Sequence, residues 1–457
     1  MAIIGVVTDD FTGTASAGVL VARSQAKTGL FFDAEAVREF EEAERLDAVY
    51  VSSNSRHLPP RKAYDAVLDV TRELRSMGVS YYSKKIDSTL RGGIGYETDA
   101  MLEFLGEDYM AVMVTAIPAS NRICVGGHSV IDGVILTETS VAEDVKTPVR
   151  ECYVPRLIES QSRYNADLIL LKDVKKGTEH LKKCMELSRE NGKRILVIDA
   201  ITMEHLDTIA KACVELAWNV LAVDPGPFTM KLAHHRGIIG KERAAINIAA
   251  EGSADNHAAG PKKEKIALMI VGSANPATKR QIERLCEVNK RVVCISASPE
   301  KLIDKGLEAD GEVSRIVRKA MEFAEAEKKP EAIVVETALH GSVINLEEED
   351  SRRGLTKGTS SMRINEGLAC ITEGILEYAG QDQIAGLLLT GGDTMESVCR
   401  KIGVACIQAM DNIVAQVDVG KIIGKYDGLP VIVKGGFCGY EDVAVDIVDR
   451  LHIEASR

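Results

Sequence analysis

Short apolar runs alternate with amphipathic helical stretches along nearly the whole chain, and no other feature narrows the fold as much. The runs Ala2–Thr8, Asp47–Ser52, Ser80–Ile86, Met110–Thr115, Asp167–Leu171, Arg194–Asp199 and Asn219–Val223 have the length and character of buried strands. Helical patterns follow at Gly13–Arg23 and Arg61–Met77 and between the later strands. Strands buried on both faces and separated by helices pair in parallel through crossovers, so the pattern implies βαβ units. It breaks at Glu251–Lys265 (EGSADNHAAGPKKEK), a small, polar, charged stretch that reads as a linker. It resumes with strands expected at Ile266–Gly272, Arg291–Ile295, Ala332–Val335, Gly386–Thr390 and Pro430–Val433. Helices are expected there at Ala277–Val288, Val313–Ala326, Glu366–Ala379 and Met395–Ile402. The acidic run Glu347–Asp350, with Arg352 and Arg353, reads as a solvated loop. A chain of 457 residues exceeds one ordinary core. The expectation is an α/β protein of two domains, 1–250 and 266–457, each with a mainly parallel sheet flanked by helices.

Composition then removes several kinds of partner. The formal net charge is −12, and aromatics are 4% with a single tryptophan, Trp218, which argues against nucleic acid. No apolar run approaches the length of a membrane span. Met1–Thr8 is apolar but runs into Asp9 and Asp10 without a basic flank, so no secretory signal is read and a cytoplasmic location is expected. The ten cysteines include no C-x-x-C pair and read as free thiols. No metal ligands are assigned among the side chains. The oligomeric state is left open between monomer and homodimer.

The chemistry-bearing segments sit where strands should end and helices begin, the place where open parallel sheets bind ligands. Thr8-Asp9-Asp10-Phe11-Thr12-Gly13-Thr14 offers two acids before a glycine-containing turn. One carboxylate can accept a hydroxyl proton or hold Mg²⁺, and the bland alternative is that Asp10 or Thr12 only caps the helix. Lys84-Lys85-Ile86-Asp87-Ser88-Thr89-Leu90-Arg91-Gly92-Gly93 gathers cations, an acid, hydroxyls and glycines, the donor set of an anion site. In Ser120–His128, Arg122 and His128 are candidates to reach a bound acid, with a structural histidine as the plainer reading of His128. The second half has three glycine-bearing strand ends: Val271-Gly272-Ser273, Thr390-Gly391-Gly392-Asp393-Thr394 and Lys434-Gly435-Gly436-Phe437-Cys438-Gly439. Glycine lets backbone approach phosphate closely, so together they point to a nucleotide cleft. Neither G-x-x-x-x-G-K-[ST] nor a post-strand G-x-G-x-x-G is present.

These segments, in this order, resemble the four-carbon acid sugar kinases. The carriers are DDFTG at Asp9–Gly13, KKIDSTLRG at Lys84–Gly92, VGGH at Val125–His128, VGS at Val271–Ser273, TGGDT at Thr390–Thr394 and KGGFCG at Lys434–Gly439. The resemblance implies an N-terminal domain that binds a sugar acid such as threonate, erythronate or 3-oxo-tetronate, and a C-terminal domain that binds ATP. It implies a substrate site at Asp9, Asp10, Arg56, Lys84, Asp87 and Arg91, with Asp10 or Asp87 as the base; Lys85, Ser88 and His128 are further candidates from the same segments. It implies an ATP site at Ser273, Gly391, Gly392, Asp393, Thr394 and Gly436, with Gly435 a further candidate and Mg²⁺ bridging the phosphates. The family commonly has Ser where Gly435 stands and Asn where Gly93 stands, which leaves the particular acid open. Two rival readings stand beside it. Asp10-Phe11-Thr12-Gly13-Thr14 looks like the phospho-accepting segment of haloacid-dehalogenase phosphohydrolases, and two α/β lobes also suit a non-catalytic sugar-acid binder.

Overall fold

The computed structural model describes residues 3–40, 42, 46–144, 147–240, 265–339 and 344–457. They fall into two compact units, one before residues 241–264 and one after them. Apart from Lys265, the linker expected at Glu251–Lys265 lies outside the described residues.

The first unit contains β1 (Ile4–Thr8), β2 (Thr28–Phe31), β3 (Ala48–Ser52), β4 (Tyr81–Lys85), β5 (Tyr109–Met113), β6 (Arg122–Val125), β7 (His128–Ile131), β8 (Val134–Ile135), β9 (Ala166–Ile169), β10 (Ile195–Ile198) and β11 (Asn219–Asp224). Eight of these run in the order β2-β3-β1-β4-β11-β5-β10-β9, every neighbour pair parallel. Helices cover the sheet in the expected way. Helix Pro60–Ser76 starts on proline and buries Ala63, Val67, Val70, Thr71 and Leu74, one stripe at helical spacing. The chain leaves β1 toward β2 and β3 on one side and then crosses to β4 on the other. The switch point therefore lies at the carboxyl end of β1, between β3 and β4.

The second unit contains β12 (Ile266–Val271), β13 (Val292–Ser296), β14 (Ala332–Glu336), β15 (Ile384–Thr390), β16 (Val404–Val414), β17 (Val417–Gly424) and β18 (Pro430–Lys434), in the order β13-β14-β12-β15-β18-β17-β16. The first five in that order are parallel, and β17 runs antiparallel to both β18 and β16. Here too the path reverses beside the first strand, so a switch point lies at the ends of β12 and β15.

Four features depart from the sequence expectation. Strand β2, Thr28–Phe31, falls where no strand was expected. β6–β8 form a small antiparallel sheet that pairs with the main unit through Cys124 and Ala200. The β16–β17 hairpin was not expected because its turn, Ala415-Gln416, has no Asn-Gly or Gly; Gln416 itself takes φ +64°. Glu347–Asp350 is helical rather than a solvated loop. It lies in helix Leu346–Arg352, where Asn345 caps the N-terminus and the acids sit at the positive end of the helix. Asp350 is buried and accepts from the N–H groups of Gly358 and Ser360, at the start of helix Thr359–Ala379. No helix among the described residues is long and apolar enough to cross a membrane. Among them the cysteines are unbridged.

Candidate active site

In the first unit Thr8 stands level with Ser52 and Lys85, so three chain segments leave the sheet together. Arg56, just beyond β3, collects the acids of the other two strand ends. Its Nε donates to Asp9 Oδ2 at 2.6 Å and its Nη1 to Asp10 Oδ2 at 2.6 Å. Its Nη2 lies 3.6 Å from Asp87 Oδ1. Lys85 Nζ lies 3.2 Å from Asp9 Oδ1 and 3.7 Å from Asp10 Oδ1. Arg91 grips Asp87 through Nε at 2.8 Å and Nη2 at 3.2 Å, and reaches Asp144 at 3.2 Å. The Thr89 hydroxyl also donates to Asp87. Gly13 leaves room for the lysine: a Cβ there would stand 1.8 Å from Lys85 Nζ and 2.5 Å from Asp10 Oδ1, so one added would displace both side chains.

Burial alone would push the Asp9 carboxyl up, but Arg56 and Lys85 hold it far below the usual carboxylate range. Asp87 is likewise buried yet held low, by Arg56 and Arg91. Arg56 itself is raised, because its three acids outweigh the burial that opposes its charge. Asp10 does two jobs. One oxygen accepts from Gly13 N–H at 2.8 Å and caps helix Phe11–Ala22, while the other meets Arg56. Its side chain keeps 28% of its surface exposed, against 8% for Asp87.

Other expected residues are placed differently. Lys84 has no exposed surface; its ammonium meets Glu97 Oε2 at 2.7 Å and Lys85 O at 2.9 Å. Successive strand residues face opposite ways, so of the two lysines only Lys85 reaches the acids, and Lys84 is not offered to a ligand. Ser88 Oγ accepts from Arg122 Nη1. Arg122 Nε is buried without a partner, and no carboxylate among the described residues pairs with this guanidinium. His128 is exposed on β7, with Nδ1 3.0 Å from Gly126 O and its ring 5.0 Å from that of Tyr153. It has no hydrogen bond to the acid cluster among the described residues. The preceding glycines serve structure, since Gly126 and Gly127 donate to Asp199 at 2.7 and 2.9 Å.

In the second unit Val271, Thr390 and Lys434 share one register row, so Gly272, Gly391 and Gly435 leave the sheet together. A Cβ on Gly272 would stand 2.0 Å from Thr394 Oγ1, and one on Gly436 would stand 2.5 Å from Ser273 Oγ. The three strand ends thus touch, and only glycine fits between them. A cavity beside them is lined by Gly272, Ala274, Gly391, Gly392, Asp393 and Thr394, among others. Gly391 takes φ +101° and turns the chain into helix Gly392–Lys401, which leaves Gly392 and Asp393 exposed at its positive end. Thr394 turns inward: its hydroxyl donates to Asn365 Oδ1 at 2.7 Å and braces the turn instead of standing free.

The sequence reading quoted Lys434 only as the start of a glycine-bearing strand end, without a role of its own, and passed over Thr278 and Gln281. Lys434 Nζ donates to Gly435 O at 2.9 Å and to Thr278 Oγ1 at 3.4 Å. Thr278 Oγ1 in turn donates to Gly436 O. Gln281 Nε2 donates to the carbonyls of Cys438, Gly439 and Tyr440 at 3.0–3.2 Å. These side chains draw the carbonyls of the glycine loop to one side. Among the described residues the N–H groups of Gly436 and Phe437 have no backbone acceptor. Lys434 is 2% exposed, and no carboxylate among the described residues pairs with it; burial brings its ammonium down to about 8. Thr390 Oγ1, its neighbour in the row, is buried and unpartnered. A lysine before two glycines is ordinary in a sequence; only its burial without an anion marks it.

Two parallel-sheet units, one with ionic strand ends and one with glycine-rich strand ends, define a two-part small-molecule enzyme. A sugar-binding N-terminal domain model matches residues 4–232, and a nucleotide-binding C-terminal domain model matches residues 268–444. The chain is 32% identical to the D-erythronate kinase of Heliobacterium modesticaldum over 453 residues, covering 99% of this chain and 97% of that one. It is 27% identical to the D-threonate kinase of Salmonella typhimurium, covering 96% of each. A solved Haemophilus influenzae structure shares the fold, with a TM-score of 0.72, 21% identity and 99% coverage of both chains. The chain belongs to the four-carbon acid sugar kinase family. It is an ATP-dependent phosphotransferase acting on an alcohol group, and the phosphohydrolase and binding-protein readings give way.

Proposed function

We propose that this kinase transfers the γ-phosphoryl group of ATP to a hydroxyl of a four-carbon sugar acid such as erythronate, threonate or 3-oxo-tetronate. The observation that carries the reading is the buried ammonium of Lys434, which has no carboxylate partner among the described residues, together with Arg122, which is half-buried and whose Nε is buried without a partner. A buried polar or charged group without a partner is costly, so both suit an anion. Arg122 suits the substrate carboxylate, which it can take through two N–H groups. Arg56 and Arg91 are already engaged by Asp9, Asp10, Asp87 and Asp144, so we assign them to order the acids.

Asp10 is assigned as the proton acceptor because it is the most exposed of the three acids. In a loose phosphoryl-transfer transition state the hydroxyl proton leaves late, so the placing of the acceptor matters more than its strength. Asp9, Lys85, Asp87 and Ser88 shape the acid's hydroxyl contacts. Ser273, Gly391, Gly392, Gly435 and Gly436 offer backbone N–H groups and close approach to the ATP phosphates. Mg²⁺, held through water by Asp393 and by the phosphates, would neutralise charge between them. Thr394 supports this site from behind, through Asn365. Domain bounds of 1–250 and 266–457 and a cytoplasmic location belong to the same reading.

The test is ADP release from the full chain with ATP and Mg²⁺, scanned over four-carbon acids, with the ester product identified by phosphorus NMR. Release that ignores the acid, or phosphate-ester hydrolysis without ATP, would overturn the proposal. Asp10→Asn is expected to lower kcat about 100-fold with the KM for ATP unchanged. Arg122→Ala is expected to raise the KM for the acid about 10- to 100-fold, the worth of a charged hydrogen bond. An unchanged KM in that variant would remove Arg122 as the carboxylate anchor.

A further inference from the structure

Away from both strand-end clusters, the segment after β9 carries a compact set of metal-ligating atoms. Asp173 lies in the short helix Leu171–Val174, and His180 and Cys184 lie one turn apart on helix Thr178–Glu190. Residues four apart on a helix share a face, so imidazole and thiol point the same way. His180 Nε2 is 3.0 Å from Asp173 Oδ1 and 3.5 Å from Cys184 Sγ, and the three ligand atoms lie within 4.8 Å of one another. Zinc bonds of about 2.0–2.3 Å in tetrahedral geometry place neighbouring N, O and S ligands about 3.4–3.6 Å apart. The two spacings from His180 are within a few tenths of an ångström of these values, and the third pair lies within 4.8 Å.

A cation already sits against this set. Lys176 Nζ is 2.9 Å from Asp173 Oδ1 and 3.4 Å from His180 Nε2. Its side chain is 54% exposed and can swing into water, whereas Cys184 packs against the core and is anchored. His180 is 37% exposed, which leaves an open path and room for a water as fourth ligand.

We propose that Asp173 Oδ1, His180 Nε2 and Cys184 Sγ form a binding site for a borderline divalent transition ion, Zn²⁺, in which Lys176 serves as the placeholder. On binding, the Cys184 S–H bond is replaced by an S–metal bond and one proton passes to solvent. The ring proton of His180 resides on Nδ1, and Lys176 leaves for water. The mixed sulfur, nitrogen and oxygen set favours Zn²⁺ over Mg²⁺. Bound metal would clasp the short helix to the long one at this edge of the first unit.

Co²⁺ is the probe, titrated anaerobically into the chelator-stripped full chain, with Zn²⁺ as competitor. One equivalent is expected to give a sulfur-to-cobalt charge-transfer band that Zn²⁺ abolishes. Cys184→Ser is expected to lose the band with the circular dichroism unchanged, and His180→Ala to weaken binding about 100-fold. Lys176→Met is expected to tighten binding about 2- to 5-fold, because it removes the competing cation. Kinase activity with ATP and Mg²⁺ in the stripped protein stays at the wild-type level in His180→Ala. The absence of a band, its persistence in Cys184→Ser, or weaker binding in Lys176→Met would each overturn the proposal.

Discussion

Arg56→Ala is expected to destabilise the first unit by about 3–5 kcal/mol, the cost of leaving buried charge without its partner. Among the described residues Arg56 is the one group that reaches Asp9, Asp10 and Asp87 together, at 2.6, 2.6 and 3.6 Å. Without it those acids repel one another where water cannot screen them. Activity should fall by about 100-fold or more, as when a preorganised charged donor is lost from an active site. Arg56→Lys keeps one positive charge but cannot bridge three carboxylates. It is expected to fold and still lose most turnover, which separates disordered acids from a collapsed unit. Thermal unfolding followed by circular dichroism is the check; a midpoint unchanged in Arg56→Ala would sink the argument.

The same ion cluster fixes a pH dependence. Asp9 and Asp87 are depressed in the folded chain relative to about 3.9 in the unfolded one. Their contribution is complete above about pH 4. It declines as pH falls below that value, because the unfolded chain takes up protons first. In Arg56→Ala the depression is weakened, although Lys85 still holds Asp9 and Arg91 still holds Asp87. The stability gap to the wild type should therefore be full near pH 7 and narrow as pH falls below about 4.

Lys434→Met is expected to raise the KM for ATP and lower kcat, together costing about 100- to 1000-fold in kcat/KM. The variant keeps a long side chain but no longer holds the Gly435 carbonyl or offers a charge beneath the glycine loop. The KM for the sugar acid should stay within about 3-fold, since that ligand is assigned to other strand ends. Thr278→Val and Gln281→Leu remove the other two anchors of the loop carbonyls and should shift the KM for ATP the same way, by less. Nucleotide titration of each variant gives the answer. Wild-type ATP affinity in Lys434→Met would exclude the lysine from the phosphate site.

Much of this architecture is legible in the chain. Asp9–Gly13, Lys84–Gly92 and Thr390–Thr394 stand out because charged residues and glycines gather there at strand ends, and strand ends can be located by periodicity. What could not be read is which way each side chain turns. Lys84 and Lys85 are identical in type, yet pleating sends one to Glu97 in the interior and the other to Asp9. Arg122 was legible as a candidate and Lys434 as part of a glycine-rich strand end, but that Lys434 is buried without a carboxylate partner, and that Arg122 Nε is buried without one, is visible only in three dimensions. Thr394 reads as a phosphate ligand, but its hydroxyl is spent on Asn365, 29 residues away in sequence.

The sequence by itself determined the layout: two α/β units, with ionic strand ends in the first and glycine-rich strand ends in the second. Local rules suffice for this, because hydrophobic period and turn residues act over a few positions. The tertiary structure decided the site. It set β1 between β3 and β4, and β12 beside β15, so that segments distant in sequence meet at two switch points. It also decided which charges neutralise one another and which lack a carboxylate partner among the described residues. That outcome depends on contacts such as Arg56 to Asp9, 47 residues apart, and such pairings carry no local signature in the chain.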